Sequence, residues 1–344
     1  MSKPLPLVAS EVWKKFDGVT AVSGVSLELG EGETVALVGP SGCGKSSLLR
    51  MIAGLDGVDG GKIRLQGVSV DDGQSRVMPE DRSVGIVFQE HALFGHLTVA
   101  QNVGFGLRAQ SRSARQARVA EMLALIELPE FSDRYPHELS GGERQRVALA
   151  RALAPGPTVM LFDEPFASLD QNLRVQLREQ VAQVLDSANT PALFVTHDPR
   201  EALALGDRIA VMRAGQIEQV GVPEEIYRQP LTMFVASFMD EANFLSITKD
   251  GSGWSTVLGA VDQSSEGNFV AMVRPNDVVF ESDDSGDANV QRCDYAGSHW
   301  LLRVRLRTGD EVVVLAEPDL RATVGDRGNL GLRPGAKQVV VRQS

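Results

Sequence analysis

The sequence predicts an α/β fold, a mixed-sheet core carrying an antiparallel β subdomain and a helical subdomain, followed by a small all-β barrel. Three observations carry that prediction. The first is a glycine-rich loop, Gly39-Pro40-Ser41-Gly42-Cys43-Gly44-Lys45-Ser46-Ser47, set between the apolar run 34–38 and apolar residues at helical spacing, Leu48, Leu49 and Ile52. The second is a set of three further apolar runs that end in polar side chains: Gln89 after 84–88, Asp163 and Glu164 after 159–162, and His197 just beyond 192–195. The third is a change of texture near Asp240, beyond which short β-rich segments alternate with Gly, Asp and Ser.

The loop fits G-x-x-x-x-G-K-[ST] in the strand, loop, helix context that this pattern requires. Its glycines let backbone N–H groups curl around a polyphosphate, and the helix start adds its dipole. Lys45 reaches the outer phosphates and Ser46 offers a hydroxyl to Mg²⁺. A plain Gly-rich turn would explain neither the Lys-Ser pair nor the flanking periodicity.

A chain of 344 residues exceeds one typical domain and suggests two, 1–240 and 241–344. The net charge of −11 argues against a protein that tracks nucleic-acid phosphates, which would carry a basic stripe. The N-terminus lacks the apolar core of a signal peptide, and no window reaches roughly 18 unbroken apolar residues, so the expectation is a soluble, cytoplasmic chain. Two cysteines, Cys43 in the loop and Cys293, build neither a disulfide framework nor a CxxC metal site.

Residues 5–33 read as strand, turn at Asp17-Gly18, and strand, giving a small antiparallel sheet. Phe16 at that turn is either a core aromatic or a flat face for a purine ring. Trp13 is read as packing. Lys62–Val70 reads as one strand. Gln89 closes its run with an amide that can both coordinate a metal and donate a hydrogen bond. From about Glu90 the texture becomes helical, with Ala117, Ala120, Leu123, Ala124, Ile126 and Leu128 recurring among Arg and Glu, which places a helical subdomain at about 90–155. Within it, Leu139-Ser140-Gly141-Gly142-Glu143-Arg144-Gln145-Arg146 opens a helix, and by physics alone this Ser-Gly-Gly turn is a capped start that could also hold an anion. Carboxylates just beyond a buried strand are costly unless they meet a cation or a reacting water. Asp163 therefore fits an outer-sphere anchor of Mg²⁺, and Glu164 fits the group that polarises water for in-line attack on a terminal phosphate. An amphipathic helix with Leu173, Leu177, Val181 and Val184 follows Ser168-Leu169-Asp170. Ligands of open α/β sheets sit beyond the carboxyl ends of the strands, so Gln89, Asp163 and His197 should converge. A hairpin at 208–212 and 216–220 and a helix at 223–227 close this part. Beyond it, segments 269–273, 278–280, 301–306 and 311–315 predict the barrel, and the acidic stretch 281–287 a solvated loop.

Taken together, residues 5–240 resemble the ATP-binding subunits of ATP-binding-cassette (ABC) transporters, that is, a P-loop NTPase cassette. GPSGCGKSS is similar to that family's Walker A, LSGGERQR to its signature sequence, VMLFDEP to its Walker B, and ASLD to the loop through which paired subunits sense each other. The resemblance implies ATP and Mg²⁺ as ligands. It implies Phe16 on the adenine, residues Gly39 to Ser47 on the phosphates, and Ser46, Gln89 and Asp163 at the metal. Glu164, His197 and Gln89 would serve catalysis, and Ser140, Gly141, Gly142 and Asp170 would complete the nucleotide site of a second copy.

The region after 240 resembles the oligosaccharide-binding-type (TOBE) barrel of importers in the maltose, polyamine, sulfate and ferric-iron group, through Val273-Arg274-Pro275-Asn276-Asp277. Asn276 stands where an acidic residue is usual. In the segment expected to meet a membrane partner, His91 replaces a common tyrosine and Gly95 a common proline. The resemblance implies a homodimeric ATPase at the cytoplasmic face of the inner membrane, bound to permease subunits, working indirectly with an extracytoplasmic solute-binding protein and without nucleic acid. The stretches HLTVAQNV and EPFASLD lean toward ferric iron, with polyamine, sulfate, thiamine and sugar importers as alternatives. A soluble cassette protein of repair or translation would bring two cassettes in one chain or a long coiled-coil insertion, and neither is present. A phosphoryl-transfer kinase would have no use for LSGGERQR.

Overall fold

The structure is a computed structural model that describes residues 3–88, 92–167, 171–250, 253–262, 267–320 and 322–343, with the side chains of 171–173 and 250 outside the description. Contacts divide the chain into two compact units, Met1–Pro223 and Glu224–Ser344. That division falls ahead of Asp240.

In the first unit, β1 (Leu7–Phe16) and β2 (Val19–Leu29) pair across Asp17-Gly18, where both residues take positive φ, 46° and 84°. Then come β3 (Thr34–Val38), α1 (Lys45–Ala53), β4 (Gly60–Leu65) and β5 (Val68–Asp71). The single strand expected over 62–70 is instead a hairpin, because Gln66 and Gly67 turn the chain at positive φ. The order β2-β1-β4-β5 makes the antiparallel subdomain.

The chain continues through β6 (Val84–Val87), α2 (Val99–Val103), α3 (Arg112–Leu125), α4 (Gly141–Leu153), β7 (Val159–Asp163), α5 (Gln171–Ala188), β8 (Ala192–Thr196), α6 (Pro199–Leu205), β9 (Arg208–Arg213) and β10 (Gln216–Gly221). The central sheet runs β10-β9-β3-β8-β7-β6, parallel except for β10, so it is mixed. β3, β7 and β8 are buried along almost their whole length, which is why they read as continuous apolar runs without alternation. Register decides where they end: Val38 lies beside Thr196, and Asp163 beside Val195. One core joins α1, through Leu48, Leu49 and Ile52, to the sheets. A second packs the helical subdomain, through Val99, Val103, Leu123 and Val147, onto Phe162 and Phe194.

The second unit follows with α7 (Pro223–Arg228), α8 (Met233–Met239), β11 (Asn243–Leu245), β12 (Thr248–Asp250), β13 (Gly253–Thr256), β14 (Gly259–Ala260), β15 (Phe269–Val273), β16 (Val278–Ser282), β17 (Ala288–Tyr295), β18 (Trp300–Leu306), β19 (Glu311–Ala316), β20 (Arg327–Leu332) and β21 (Val339–Arg342). Its strands form a five-stranded antiparallel sheet, β16-β20-β17-β18-β19, and two three-stranded ones, β11-β15-β21 and β12-β13-β14. The acidic stretch expected to be loop from 281 begins two residues later, since Glu281 and Ser282 complete β16. Arg274, only 3% exposed, donates to the carbonyls of Tyr227, Ala236, Asp240 and Glu241 and lies over the Tyr227 ring at 4.3 Å. One guanidinium thus gathers the ends of α7 and α8.

Candidate functional site

The phosphate loop is shaped by close backbone approach. A Cβ on Gly39 would collide with the Met212 carbonyl oxygen, and one on Gly44, at φ 108°, with the Ala21 carbonyl oxygen, so only glycine fits either position. The turn of the β9–β10 hairpin braces the loop: the Gly215 N–H donates to the Cys43 carbonyl at 2.9 Å, and the Ser23 N–H to the Gly215 carbonyl at 2.8 Å. Sequence reasoning read Ala214-Gly215 as a hairpin turn and missed that support. Lys45 is 4% exposed, and its Nζ donates to the carbonyls of Gly39 at 2.8 Å and Pro40 at 3.0 Å, with Cys43 Sγ at 3.9 Å. Burial pushes the Cys43 thiol up, against the pull of Lys45. Ser41, Gly42 and Ser46 are exposed, and Pro40 and Ser47 half-buried.

Asp163 ends β7 and accepts from Ser46 Oγ at 2.9 Å. Burial raises its carboxyl above the usual range; the Ser46 hydrogen bond opposes that, and the Glu164 charge adds to it. The Ser46 hydroxyl and the Asp163 carboxylate side by side are the hard oxygen donors that Mg²⁺ takes, and they would hold the ion with Ser46 as ligand and Asp163 as anchor. Glu164 takes the left-handed conformation, φ 47°, held by its N–H on the Val195 carbonyl at 2.9 Å. Its Oε2 lies 2.9 Å from Nδ1 of His197, which follows β8. Beneath these strand ends Phe162 and Phe194 stack in parallel at 4.1 Å, a stiff floor for the turn. The structure therefore brings together Gly39 to Ser47, Asp163, Glu164 and His197.

Ser140, Gly141 and Gly142 are not in that group. Ser140 Oγ accepts from the Glu143 N–H at 3.3 Å, and Glu143 Oε2 accepts from the Ser140 N–H at 2.6 Å, a closed capping box at the start of α4. Among the described residues no hydrogen bond or ion pair joins this turn to the phosphate loop, Asp163, Glu164 or His197. Gln89, His91 and Asp170 lie outside the described residues. Phe16 is 42% exposed at the end of β1, with Lys14 Nζ 5.3 Å from its ring centre, which excludes the core alternative. Trp13 is also partly exposed, lying against Gly24 and Gly60. Sequence reasoning also missed the side chains behind His197, where Thr196 donates to the buried Glu201.

Strand ends carrying a phosphate loop, a serine–carboxylate pair and a glutamate–histidine pair define an ATP-hydrolysing nucleotide-binding domain. Residues 22–167 match the ABC transporter family profile and residues 271–340 the TOBE domain profile. The chain is 46% identical over 327 residues to the Fe(3+) ions import ATP-binding protein FbpC 1 of Rhodococcus jostii, covering 94% of this chain and 92% of that one. It is 43% identical over 323 residues to the sulfate/thiosulfate import ATP-binding protein CysA of Burkholderia mallei, covering 90% of each. Among solved structures, CbiO1 of Clostridium perfringens, part of the ABC transporter complex CbiONQ, superposes with a TM-score of 0.60 at 28% identity, covering 65% of this chain and 91% of that one. The chain belongs to the ABC transporter family, as an ATPase subunit with a C-terminal TOBE domain.

Proposed function

We propose that this ATPase works as a homodimer that closes on two ATP-Mg²⁺ and so drives solute import through separate permease subunits, with a solute-binding protein delivering the solute. The observation that carries this reading is the convergence of Lys45, Ser46, Asp163, Glu164 and His197 at the carboxyl ends of β3, β7 and β8. In it, residues 39–47 cradle the phosphates, Phe16 stacks on adenine, and Ser46 and Asp163, with Gln89, hold Mg²⁺. The ion, when bound, screens the charge on the phosphate oxygens. Glu164 turns from His197 to orient the attacking water, and His197 meets the terminal phosphate. Ser140, Gly141, Gly142 and Asp170 come from the second copy, so ATP shifts the open-to-closed equilibrium by touching both halves.

No described helix is long and apolar enough to cross a membrane, and we place the chain peripherally, on the cytoplasmic face, through the permease. The names of its relatives favour ferric iron as the imported solute, with sulfate or thiosulfate as the second reading. The nucleotide domain is proposed to end near Asp240. Glu164→Gln should give an ATP-stabilised dimer, measured by gel filtration, with turnover lowered about a hundredfold or more. Turnover at the parental rate would remove Glu164 from its role. Identification of the solute-binding protein and permease that accompany the chain, followed by uptake of labelled ferric iron against labelled sulfate, tests the solute.

A further inference from the structure

We propose that a Thr196–Glu201–Arg174 relay, buried at Thr196 and Glu201, positions His197, so that the placement of its imidazole is set from α5 as well as from Glu164. The inference rests on the reading of His197 as the group that meets the terminal phosphate. Thr196, the last residue of β8, donates from Oγ1 to Glu201 Oε2 at 2.5 Å, and the same hydroxyl accepts from the Asp198 N–H at 3.1 Å. The residues on either side of His197 are thereby tied to one hydroxyl, and that hydroxyl to one carboxylate. That carboxylate belongs to α6, is 3% exposed, and meets Arg174 Nε at 3.7 Å through Oε1. Arg174 also reaches Asp198 Oδ2 with Nη1 at 3.5 Å, while Asp198 Oδ1 caps α6 at the Arg200 N–H, 2.8 Å away. Arg178, one turn further along α5, donates to the Arg200 carbonyl at 3.5 Å.

Packing alone does not call for this arrangement. A buried carboxylate is costly, and an apolar residue of similar size would fill the same space with less penalty. What the charged and hydrogen-bonded set supplies is direction: it fixes the Thr196 side chain, and with it the backbone that carries His197. His197 is half-exposed, and its ring is held by Glu164. In the proposed reaction Glu164 turns from His197 toward the water, and the relay gives the segment that carries the ring a second hold that does not depend on Glu164. Arg174 lies in the first turn of α5, which the chain enters directly after Asp170, the residue placed toward the second copy. The relay therefore begins four residues after Asp170 in the sequence and ends at the residue before His197.

The test measures ATP turnover of the full-length chain for Thr196→Val, Glu201→Leu, Glu201→Gln and Arg174→Met, each also combined with His197→Ala under single-turnover conditions. Thr196→Val and Glu201→Leu should lower kcat about ten- to a hundredfold with KM within about twofold, as expected of a misplaced group near the reacting atoms. Glu201→Gln, whose amide oxygen still accepts from Thr196 but whose NH2 then faces Arg174 Nε, should lose less, about three- to tenfold in kcat, and Arg174→Met, which cuts only the link to α5, about the same; parental kcat in Arg174→Met would remove α5 from the relay. In the His197→Ala background the relay substitutions should add no further loss. Parental kcat in Thr196→Val and Glu201→Leu, or equal fractional losses in both backgrounds, would overturn the relay. Should Glu201→Leu fail to fold, the near-isosteric Thr196→Val carries the comparison. Loss in His197→Ala with none in the relay variants sinks the relay alone, whereas full turnover in His197→Ala sinks the reading of the site and the relay with it.

Discussion

Asp163 shows how one side chain can be set against the stability of its own fold. Burial raises its carboxyl in the folded chain, so the folded state binds its proton more readily than the unfolded state. A raised folded value contributes stability that is present below the unfolded carboxylate range and lost as pH rises through the folded one. At neutral pH the ionised Asp163 therefore destabilises the nucleotide-free chain. Asp163→Asn should raise the melting temperature by about 2–4 °C at neutral pH while abolishing turnover, and that gain should vanish in acid, as followed by calorimetry across pH. At this scale the sequence was informative about identity and silent about present partners. Lys45, Asp163 and His197 are legible from their places after a loop or a strand. That Lys45 bonds loop carbonyls, or that Thr196 and Glu201 stand behind His197, follows only from three-dimensional proximity that no spacing rule encodes.

Among the elements, α4 separates two roles of Ser140 that sequence alone could not. As an N-cap it closes a box with Glu143, whose carboxyl the Ser140 N–H holds below the usual range. Glycine at an N-cap costs only a few tenths of a kcal/mol. Ser140→Gly should therefore leave thermal stability almost unchanged, yet weaken ATP-dependent pairing of the Glu164→Gln chain several-fold if the hydroxyl also meets the partner's nucleotide. Unchanged pairing would leave Ser140 as a cap alone. The long buried strands β3, β7 and β8 were legible because both faces are apolar. β4 and β5 were merged because a Gln-Gly turn looks little different from an exposed strand. In the second unit β11 to β14, β17, β20 and β21 were missed: β11 to β14 and β21 span only two to four residues, β20 is interrupted by glycine, and the second half of β17 is polar, so none displays a period. The phrase Val273-Arg274-Pro275 was noticed as a resemblance; its physical reason, a buried guanidinium holding four carbonyls, needed the structure.

At the scale of the whole molecule, the proposed site is divided between copies, which makes complementation the sharpest measurement. A Lys45→Ala chain has a defective cradle and an intact α4 start, and a Gly142→Asp chain the reverse. Neither should turn over ATP alone. Mixed, half of the randomly formed pairs would each contain one complete site, so about a quarter of the parental turnover should return. No recovery on mixing, with pairing shown to occur, would contradict a shared site. The TOBE domain was anticipated as a barrel from spacing, and its sheets answer to that texture.

Lys45 in its nucleotide-free arrangement also bears on how the cycle resets. A buried ammonium abandoned by departing phosphates would be left without acceptors, and the product would be held back by that penalty. Here the carbonyls of Gly39 and Pro40 stand 2.8 and 3.0 Å away to receive it. In the proposed cycle, phosphate leaving Lys45 would exchange one set of acceptors for another, so that no orphaned charge opposes release of the spent nucleotide.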